Sequence, residues 1–218
     1  MSTIFSSNKI LRHLGHLQDY LCGGFRFPIT MEFDLTDKCD HACPRCAGGR
    51  TGAELTWEEA RDYLSQLADC HVKAVTFTGG GEPCLHPHLV DALCHAQSLG
   101  MDVGLITNGT SMTRQIADAA VCTCVWVRVS LDANGPLAYR QTHGRDGDFY
   151  QRACDAIRML SASRDTLHSG CTVGVGYLVD RNTRPDMMQA TMEVRDYGAD
   201  YIQFRPFHYQ TTPIEDQL

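Results

Sequence analysis

The 218-residue sequence predicts an α/β fold, a partial (β/α)6 TIM-type barrel of parallel strands preceded by an N-terminal helix. Short β-type segments alternate with helical segments, which is typical of parallel strands joined by right-handed crossovers. Hydrophobic residues make up 43% of the chain, enough for a substantial core. Several strands alternate polar with apolar side chains, whereas the strands of an open parallel sheet covered on both faces are almost entirely apolar. This alternation favours a barrel with a polar interior over a doubly wound open sheet.

The elements of the N-terminal half have recognisable boundaries. Apolar residues at helical spacing predict the first helix. Thr56 and Glu59 form a capping box that opens the second helix. Pro87 opens the third helix and Gly100 ends it. These helices are expected at 8–21, 56–68 and 87–99, and the strands between them at 29–35, 73–78 and 101–107.

The C-terminal half continues the same alternation. Asp148 is a typical capping residue at the start of a helix, and Pro185 and Gly198 bracket the last helix. In the fourth strand, Arg128, Ser130 and Asp132 share one face. The other face is expected to carry Val125, Val127, Val129 and Leu131. The helices are expected at 112–120, 148–160 and 185–197, and the strands at 125–131, 171–179 and 201–205.

These elements divide the chain into three parts. Residues 1–26 are expected to form a helical extension, 27–206 the barrel, and 207–218 a tail. The tail has no clear sixth crossover helix, so we expect the chain to be a minimal or truncated version of its fold.

Charge and cysteine content restrict the environment of the protein. The formal net charge of −7 argues against non-specific nucleic-acid binding. No apolar run approaches the roughly 20 residues of a membrane span, and the charged N-terminal segment is unlike a signal peptide. The chain has eleven cysteines, an odd number that fits full pairing poorly. We therefore expect free thiols in a reducing cytoplasm, and some of these thiols should be metal ligands.

Three cysteines lie close together after the first strand. Cys39, Cys43 and Cys46 have the spacing Cys-x3-Cys-x2-Cys. Three soft ligands in one loop suit an iron–sulfur cluster or zinc, and inert thiols are the third interpretation. Structural zinc normally takes four ligands, and His41 as the fourth would strain the tetrahedral geometry. An iron–sulfur cluster held by three cysteines leaves one iron open for a substrate or cofactor.

With this cysteine loop after the first strand, the sequence resembles the radical S-adenosylmethionine (SAM) enzymes over residues 27–206. The resemblance implies that Cys39, Cys43 and Cys46 hold a [4Fe-4S] cluster whose open iron binds SAM. It also implies an external one-electron reductant of the flavodoxin or ferredoxin type. Reductive cleavage of SAM would give a 5′-deoxyadenosyl radical that abstracts hydrogen from a small-molecule or peptide substrate.

The resemblance also assigns a glycine-rich segment to SAM. Gly79, Gly80 and Gly81 follow the second strand and precede Glu82 and Pro83. A tight turn needs one or two glycines, so three of them indicate close backbone approach to a ligand. The resemblance implies that residues 79–82 bind the methionyl amino group of SAM.

Later strands supply the remaining candidates. The resemblance assigns the ribose hydroxyls to Ser130 and Asp132, and places Arg128 one layer deeper, near the SAM carboxylate or the substrate. An Arg–Asp ion pair of purely structural value is the alternative. Val175 lies in a Val-Gly-Val-Gly strand whose backbone would approach the adenine or methionine moiety, and Asn108 is a further candidate contact.

Some features depart from the resemblance or are open to another interpretation. Arg45 stands where the family commonly has an aromatic residue near the adenine. Cys84, Cys122 and Cys124 are expected to be small buried hydrophobes, with hydrogen-atom donation by Cys84 as the alternative. The alternative for the whole protein is a non-catalytic zinc or iron–sulfur binding or sensing module. An open-sheet nucleotide-binding protein would carry glycines rather than cysteines after its first strand.

Overall fold

Six parallel strands form a single sheet in the computed structural model, which describes residues 11, 13–24, 27–44, 46, 48 and 51–206. All strands were expected, and the observed boundaries differ from the expected ones by about one residue. The strands are β1 Thr30–Asp34, β2 Ala74–Thr78, β3 Asp102–Thr107, β4 Trp126–Ser130, β5 Thr172–Val179 and β6 Tyr201–Pro206.

The strands follow one another across the sheet in chain order, β1 to β6. Each neighbouring pair is parallel. Right-handed crossovers between strands in this order all pass over the same face of the sheet. The order therefore excludes a doubly wound sheet, in which the strand order reverses. Among the described residues β1 and β6 are not paired, so the sheet is open.

Seven α-helices connect or flank these strands within the described residues. They are α1 Leu14–Leu21, α2 Trp57–Asp69, α3 Leu89–Ser98, α4 Arg114–Thr123, α5 Pro136–His143, α6 Gly147–Thr166 and α7 Met187–Asp196. Short 3-10 turns cover Pro83–Leu85 and Arg184–Asp186. No described helix is long and apolar enough to cross a membrane. The start of the first expected helix and the tail 207–218 lie outside the described residues.

Capping residues explain where several helices begin. The predicted capping box of α2 is confirmed: Thr56 Oγ1 accepts from the Glu59 amide, and Glu59 accepts from the Thr56 amide. Helix α4 begins later than expected because the Thr113 hydroxyl accepts from the amide of Ile116. Helix α6 begins at Gly147, directly before the expected capping residue Asp148.

Helix α5 was not expected from the sequence. It begins with Pro136 at its first turn and ends at Gly144, which has the left-handed φ of 67°. Proline at the start and glycine after the end are ordinary helix-boundary residues. The helix is short and has few apolar residues, so its periodicity gave no indication of it.

The hydrophobic core between the sheet and its helices consists, among the described residues, of a large cluster and a smaller one of Tyr177, Val179 and Ala190. Each strand gives alternate side chains to this core, and Val127 and Val129 of β4 do so as predicted. Val125 was expected on the same face, but it precedes β4 and is 50% exposed. The opposite, inner face carries polar side chains such as Glu32 and Arg128. This polar face leads to the functional site at the carboxyl ends of the strands.

Candidate functional site

A cavity of about 270 Å³ opens at the carboxyl ends of the strands. Its walls come from the segments that follow β1, β2 and β3, from the ends of β4 and β5, and from α5. The lining residues are Cys39, His41, Cys43, Cys46, Thr78, Gly79, Gly80, Gly81, Glu82, Ile106, Thr107, Asn108, Ser130, Asp132, Thr142, His143 and Leu178. The structure thus brings together ten of the candidate residues from four separate segments.

The three loop cysteines contribute their side chains to this cavity. Cys39 and Cys43 are half-buried, and Cys46 is exposed. Backbone amides point toward two of the sulfurs: His41 N lies 3.4 Å from Cys39 Sγ, and Gly48 N lies 3.4 Å from Cys46 Sγ. Three soft donors on one short loop fit an iron–sulfur cluster with one open iron.

His41 is a poor fourth ligand for zinc, although Cys39, Asp40 and His41 hold their ligand atoms within 4.8 Å of one another. Both of its ring nitrogens already have partners. Nδ1 lies 2.8 Å from Asp40 Oδ1, and Nε2 lies 2.8 Å from the hydroxyl of Tyr139. His41 is 1% exposed, so ligation would break buried hydrogen bonds.

Asp40 is held by donors from the segment after β3. Its carboxylate accepts hydrogen bonds from the Asn108 amide at 2.8 Å, the Thr110 hydroxyl at 2.7 Å and the Ser111 hydroxyl at 3.1 Å. Burial alone would raise the pKa of Asp40, but the hydrogen bonds from His41, Thr110 and Asn108 lower it overall. Asp40 is therefore an ionised anchor for the cysteine loop.

The glycine segment after β2 lies directly against the cysteine loop. A Cβ atom on Gly81 would lie 2.3 Å from the carbonyl oxygen of Lys38, and one on Gly79 would overlap the Asp34 carboxyl group. Gly79 also has a left-handed φ of 129°. The amide of Gly80 donates to Asp34 Oδ2 at 3.1 Å. The glycines are therefore required for packing between the two loops, besides any close approach to a ligand.

Glu82 is a buried carboxylate at the base of the cavity. It accepts hydrogen bonds from the amide of Cys84 at 3.0 Å, the amide of Asn108 at 2.6 Å and the hydroxyl of Thr107. Burial raises the pKa of Glu82, and these donors offset part of the effect. Glu82 thereby joins the segments after β2 and β3.

Ser130 and Asp132 line the cavity from β4. Asp132 has a left-handed φ of 45°, and its Oδ1 accepts from the Leu178 amide at 2.6 Å. His143 Nε2 lies 3.9 Å from Asp132 Oδ2. His143 is the last residue of α5 and is 3% exposed. Burial, together with the nearby His41, lowers the pKa of His143 to about 3, so its ring is neutral.

Two expected contacts do not line the cavity. Val175 was expected to approach the cofactor through its backbone, and its side chain is fully buried in the core because it points to the helix-covered face. Arg128 lies deeper on the inner face, as expected, and its Nη1 donates to Gln203 Oε1 at 2.9 Å. Its guanidinium lies 5.7 Å from the ring centroid of Trp126.

The other cysteines named from the sequence have ordinary surroundings. Cys84 is buried with its sulfur 3.3 Å from the Thr107 hydroxyl, and burial raises its pKa well above the usual value. Cys124 is buried in the core, whereas Cys122 is exposed. Arg45 lies outside the described residues.

Sequence reasoning missed the network of Asp40, His41, Tyr139 and His143. Asp40 and His41 stand inside the cysteine loop, and Tyr139 and His143 are four residues apart, a spacing that places both on one helical face. That spacing would have been informative only if α5 had been predicted.

Comparison with known proteins agrees with this site. Residues 33–190 match the family model of the Radical SAM superfamily. A PqqA peptide cyclase from Streptomyces rochei is 30% identical over 187 residues, 84% of this chain and 49% of the relative. An AdoMet-dependent heme synthase from Methanosarcina barkeri is 28% identical over 138 residues, 61% of this chain and 39% of the relative.

The fold is also found in a solved structure. Streptococcus suis SuiB bound to its precursor peptide SuiA has a TM-score of 0.70 at 15% sequence identity, covering 89% of this chain and 42% of SuiB. This likeness confirms the predicted partial barrel. The chain spans about half or less of the length of these relatives. The family model covers most of the chain, so the chain belongs to the radical SAM superfamily, whose members use a [4Fe-4S] cluster and SAM.

Proposed function

We propose that this chain is the core of a radical SAM enzyme that acts on a peptide. The observation that carries the proposal is convergence: three cysteines, a glycine segment and Ser130 with Asp132, contributed by different strand ends, line one cavity. Active sites of parallel α/β barrels lie at this end of the strands.

Each group of lining residues has a separate role in the proposal. Cys39, Cys43 and Cys46 would hold the cluster through their thiolates. Residues 79–82 would hold the amino group of SAM, and Ser130 with Asp132 would hold its ribose. With one electron from the external reductant, the bound groups would supply a 5′-deoxyadenosyl radical for hydrogen-atom abstraction.

Two further residues extend the proposed binding surface. Asn108 lines the cavity and would contact the cofactor there. Arg128, deeper on the same face, would contact the SAM carboxylate or the substrate. Both stand on β3 and β4 or directly after them, so the sheet fixes their positions.

The names of similar proteins support a peptide as substrate. One relative is a PqqA peptide cyclase, and SuiB is bound to a precursor peptide. The heme synthase favours a small molecule as the second candidate substrate. The proposal also includes an external flavodoxin- or ferredoxin-type reductant and a cytoplasmic location, where free thiols persist.

Anaerobic turnover tests the enzyme proposal. The protein is reconstituted with iron and sulfide, mixed with SAM and dithionite, and assayed for 5′-deoxyadenosine by mass spectrometry. The control is the triple variant Cys39→Ala, Cys43→Ala, Cys46→Ala. We expect product from the wild type and none from the variant. A wild-type protein that holds its cluster but forms no product would favour the binding or sensing role instead.

The substrate class is tested with the same assay. Formation of 5′-deoxyadenosine is compared with and without a synthetic peptide library, and with a mixture of small metabolites including a porphyrin. Faster formation with the peptides, together with a mass change in at least one of them, supports the proposal. Stimulation by the metabolite mixture alone contradicts it.

A further inference from the structure

Helix α5 and the residues after it contact the cysteine loop at three points. The Tyr139 hydroxyl lies 2.8 Å from His41 Nε2. The carbonyl oxygen of His143 accepts from the amide of Ala42 at 3.1 Å. Arg145 Nε donates to the carbonyl oxygen of Asp40. All three contacts fall on residues between Cys39 and Cys43.

The contacts between α5 and the loop are close, and the Tyr139 side chain is fully buried. Tyr139 is 0% exposed, and its ring stacks on His143 with centroids 4.1 Å apart and planes inclined by 12°. Between His143 and Arg145, a Cβ on Gly144 would lie only 2.4 Å from the carbonyl oxygen of Ala42. The backbone after α5 therefore lies directly against the loop.

The loop is held on another side by the segment after β3. Asn108, Thr110 and Ser111 donate hydrogen bonds to the Asp40 carboxylate. The α5 contacts instead reach the His41 ring and the loop backbone. Neither set of contacts uses a cysteine sulfur, so both leave the thiols available for ligation.

We propose that Tyr139 and Arg145 are positioning residues that hold the cysteine loop in the conformation that binds the cluster. The inference rests on the proposed function, because it assigns the cluster to Cys39, Cys43 and Cys46. A loop of this length loses conformational freedom when it binds a cluster. Residues that order the loop beforehand reduce that loss, and groups around metal ligands commonly change affinity by about 10–100-fold.

The first test removes one hydroxyl. Tyr139→Phe keeps the ring and its stacking on His143 but removes the partner of His41 Nε2. Tyr150→Phe is a matched control, since Tyr150 is also buried, its ring lies 5.8 Å from that of Tyr139, and its hydroxyl donates to Glu193 instead. We expect reconstituted Tyr139→Phe to lose iron to a chelator on the order of 10-fold faster than the wild type. Tyr150→Phe should lose iron at the wild-type rate.

The second test uses a matched pair of arginines. Arg145 and Arg152 both lie over the Phe149 ring, at 5.3 and 5.1 Å from its centroid, but Arg145 also donates to Asp40. Arg145→Ala should accelerate iron loss, and Arg152→Ala should not. This pair tests the inference even if Tyr139→Phe folds poorly.

Hydrogen exchange on the same preparations separates the inference from the proposed function. Amides of residues 39–43 should exchange faster in Tyr139→Phe and Arg145→Ala than in the wild type, while those of β3 and β5 stay unchanged. The inference is overturned if both variants match the wild type in exchange and iron loss, or if the controls change equally. If the wild type holds no cluster, the proposed function fails, and the exchange data alone decide whether the loop is positioned from α5.

Discussion

At the scale of single residues, the Glu82 carboxylate joins the end of β2 to the end of β3. It does so only by accepting hydrogen bonds. It accepts from the amides of Cys84 and Asn108 and from the hydroxyl of Thr107. Glu82→Gln places an NH2 group against at least one of these donors. Leaving a buried donor unpaired costs about 1–3 kcal/mol, so we expect a loss of that size in the free energy of unfolding, measured with urea.

The control for this change is an exposed glutamate. Glu58 lies in the first turn of α2, and Glu58→Gln should alter the free energy of unfolding by less than about 0.5 kcal/mol. Equal stability of Glu82→Gln and the wild type would show that the three hydrogen bonds contribute little.

His143 should make stability depend on pH. Its pKa is lowered from 6.5 to about 3 by burial and the nearby His41; Asp132 and Tyr139 also face its ring. The unfolded chain binds a proton below pH 6.5 and the folded chain does not, so stability falls as pH falls through this range. Between pH 6.5 and about 5.5, this one group should reduce the free energy of unfolding by about 1 kcal/mol.

The measurement compares urea unfolding of the wild type and His143→Gln across that pH range. The wild type and the variant should both lose stability as other titratable groups bind protons. The free energy of unfolding of the variant should fall by about 1 kcal/mol less. Parallel curves would mean that His143 is protonated in the folded protein.

The candidate residues with local sequence signals come together in the structure. The cysteines, the glycine segment and the Ser130–Asp132 pair were recognisable from spacing, and all line the cavity. Val175 was named for the backbone of its glycine-flanked strand, and period-2 alternation turns its side chain into the core, so its contact with the cofactor stays a prediction about the backbone. His143 was missed because its burial depends on His41 and Tyr139, which are distant in sequence or lie on an unpredicted helix.

At the scale of elements, close packing of the glycine segment on the cysteine loop can be tested. A Cβ on Gly81 would lie 2.3 Å from the backbone oxygen of Lys38, and a backbone atom cannot move aside as a side chain can. We expect Gly81→Ala to reduce the free energy of unfolding by about 1–3 kcal/mol, measured by thermal or urea unfolding.

Gly170→Ala is the matched control for this substitution. A Cβ on Gly170 would meet nothing within 4 Å, so this variant should be within about 0.5 kcal/mol of the wild type. If Gly81→Ala is equally stable, the two segments are not packed as closely as the structure indicates.

Elements with strong boundary signals were predicted, and one with weak periodicity was not. Helix α2 was predicted because its capping box satisfies backbone amides within four residues. Helix α5 has few apolar residues, and its burial comes mainly from Tyr139 and His143. It packs against α6 and the cysteine loop, and no local pattern indicates these contacts.

At the scale of the whole molecule, the alternation of polar and apolar side chains predicted the architecture. It indicated a sheet with one polar face, and the strand order β1 to β6 agrees with that prediction. The order itself did not follow from any single strand, because it depends on the hand of every crossover. The open sheet agrees with the predicted partial barrel.

The position of the cysteines relative to the core leads to a prediction about iron removal. Cys39, Cys43 and Cys46 are not part of the hydrophobic core between the sheet and the helices. Their loop is held by hydrogen bonds of Asp40 and His41, which do not need the metal. We therefore expect the chelated protein to keep its far-UV circular dichroism and to unfold cooperatively. Its melting temperature should be lower than with the cluster, since a group bound only by the folded state stabilises that state.

The measurement is circular dichroism with thermal unfolding, before and after anaerobic chelation. The triple alanine variant of the loop cysteines should match the chelated wild type, because both lack the cluster and retain the core. Small zinc domains behave differently and unfold when the metal is removed, since their metal replaces a core. An unfolded spectrum after chelation would mean that this protein behaves like the small zinc domains. In that case the cluster, rather than the contacts of α5 and the segment after β3, would stabilise this end of the barrel.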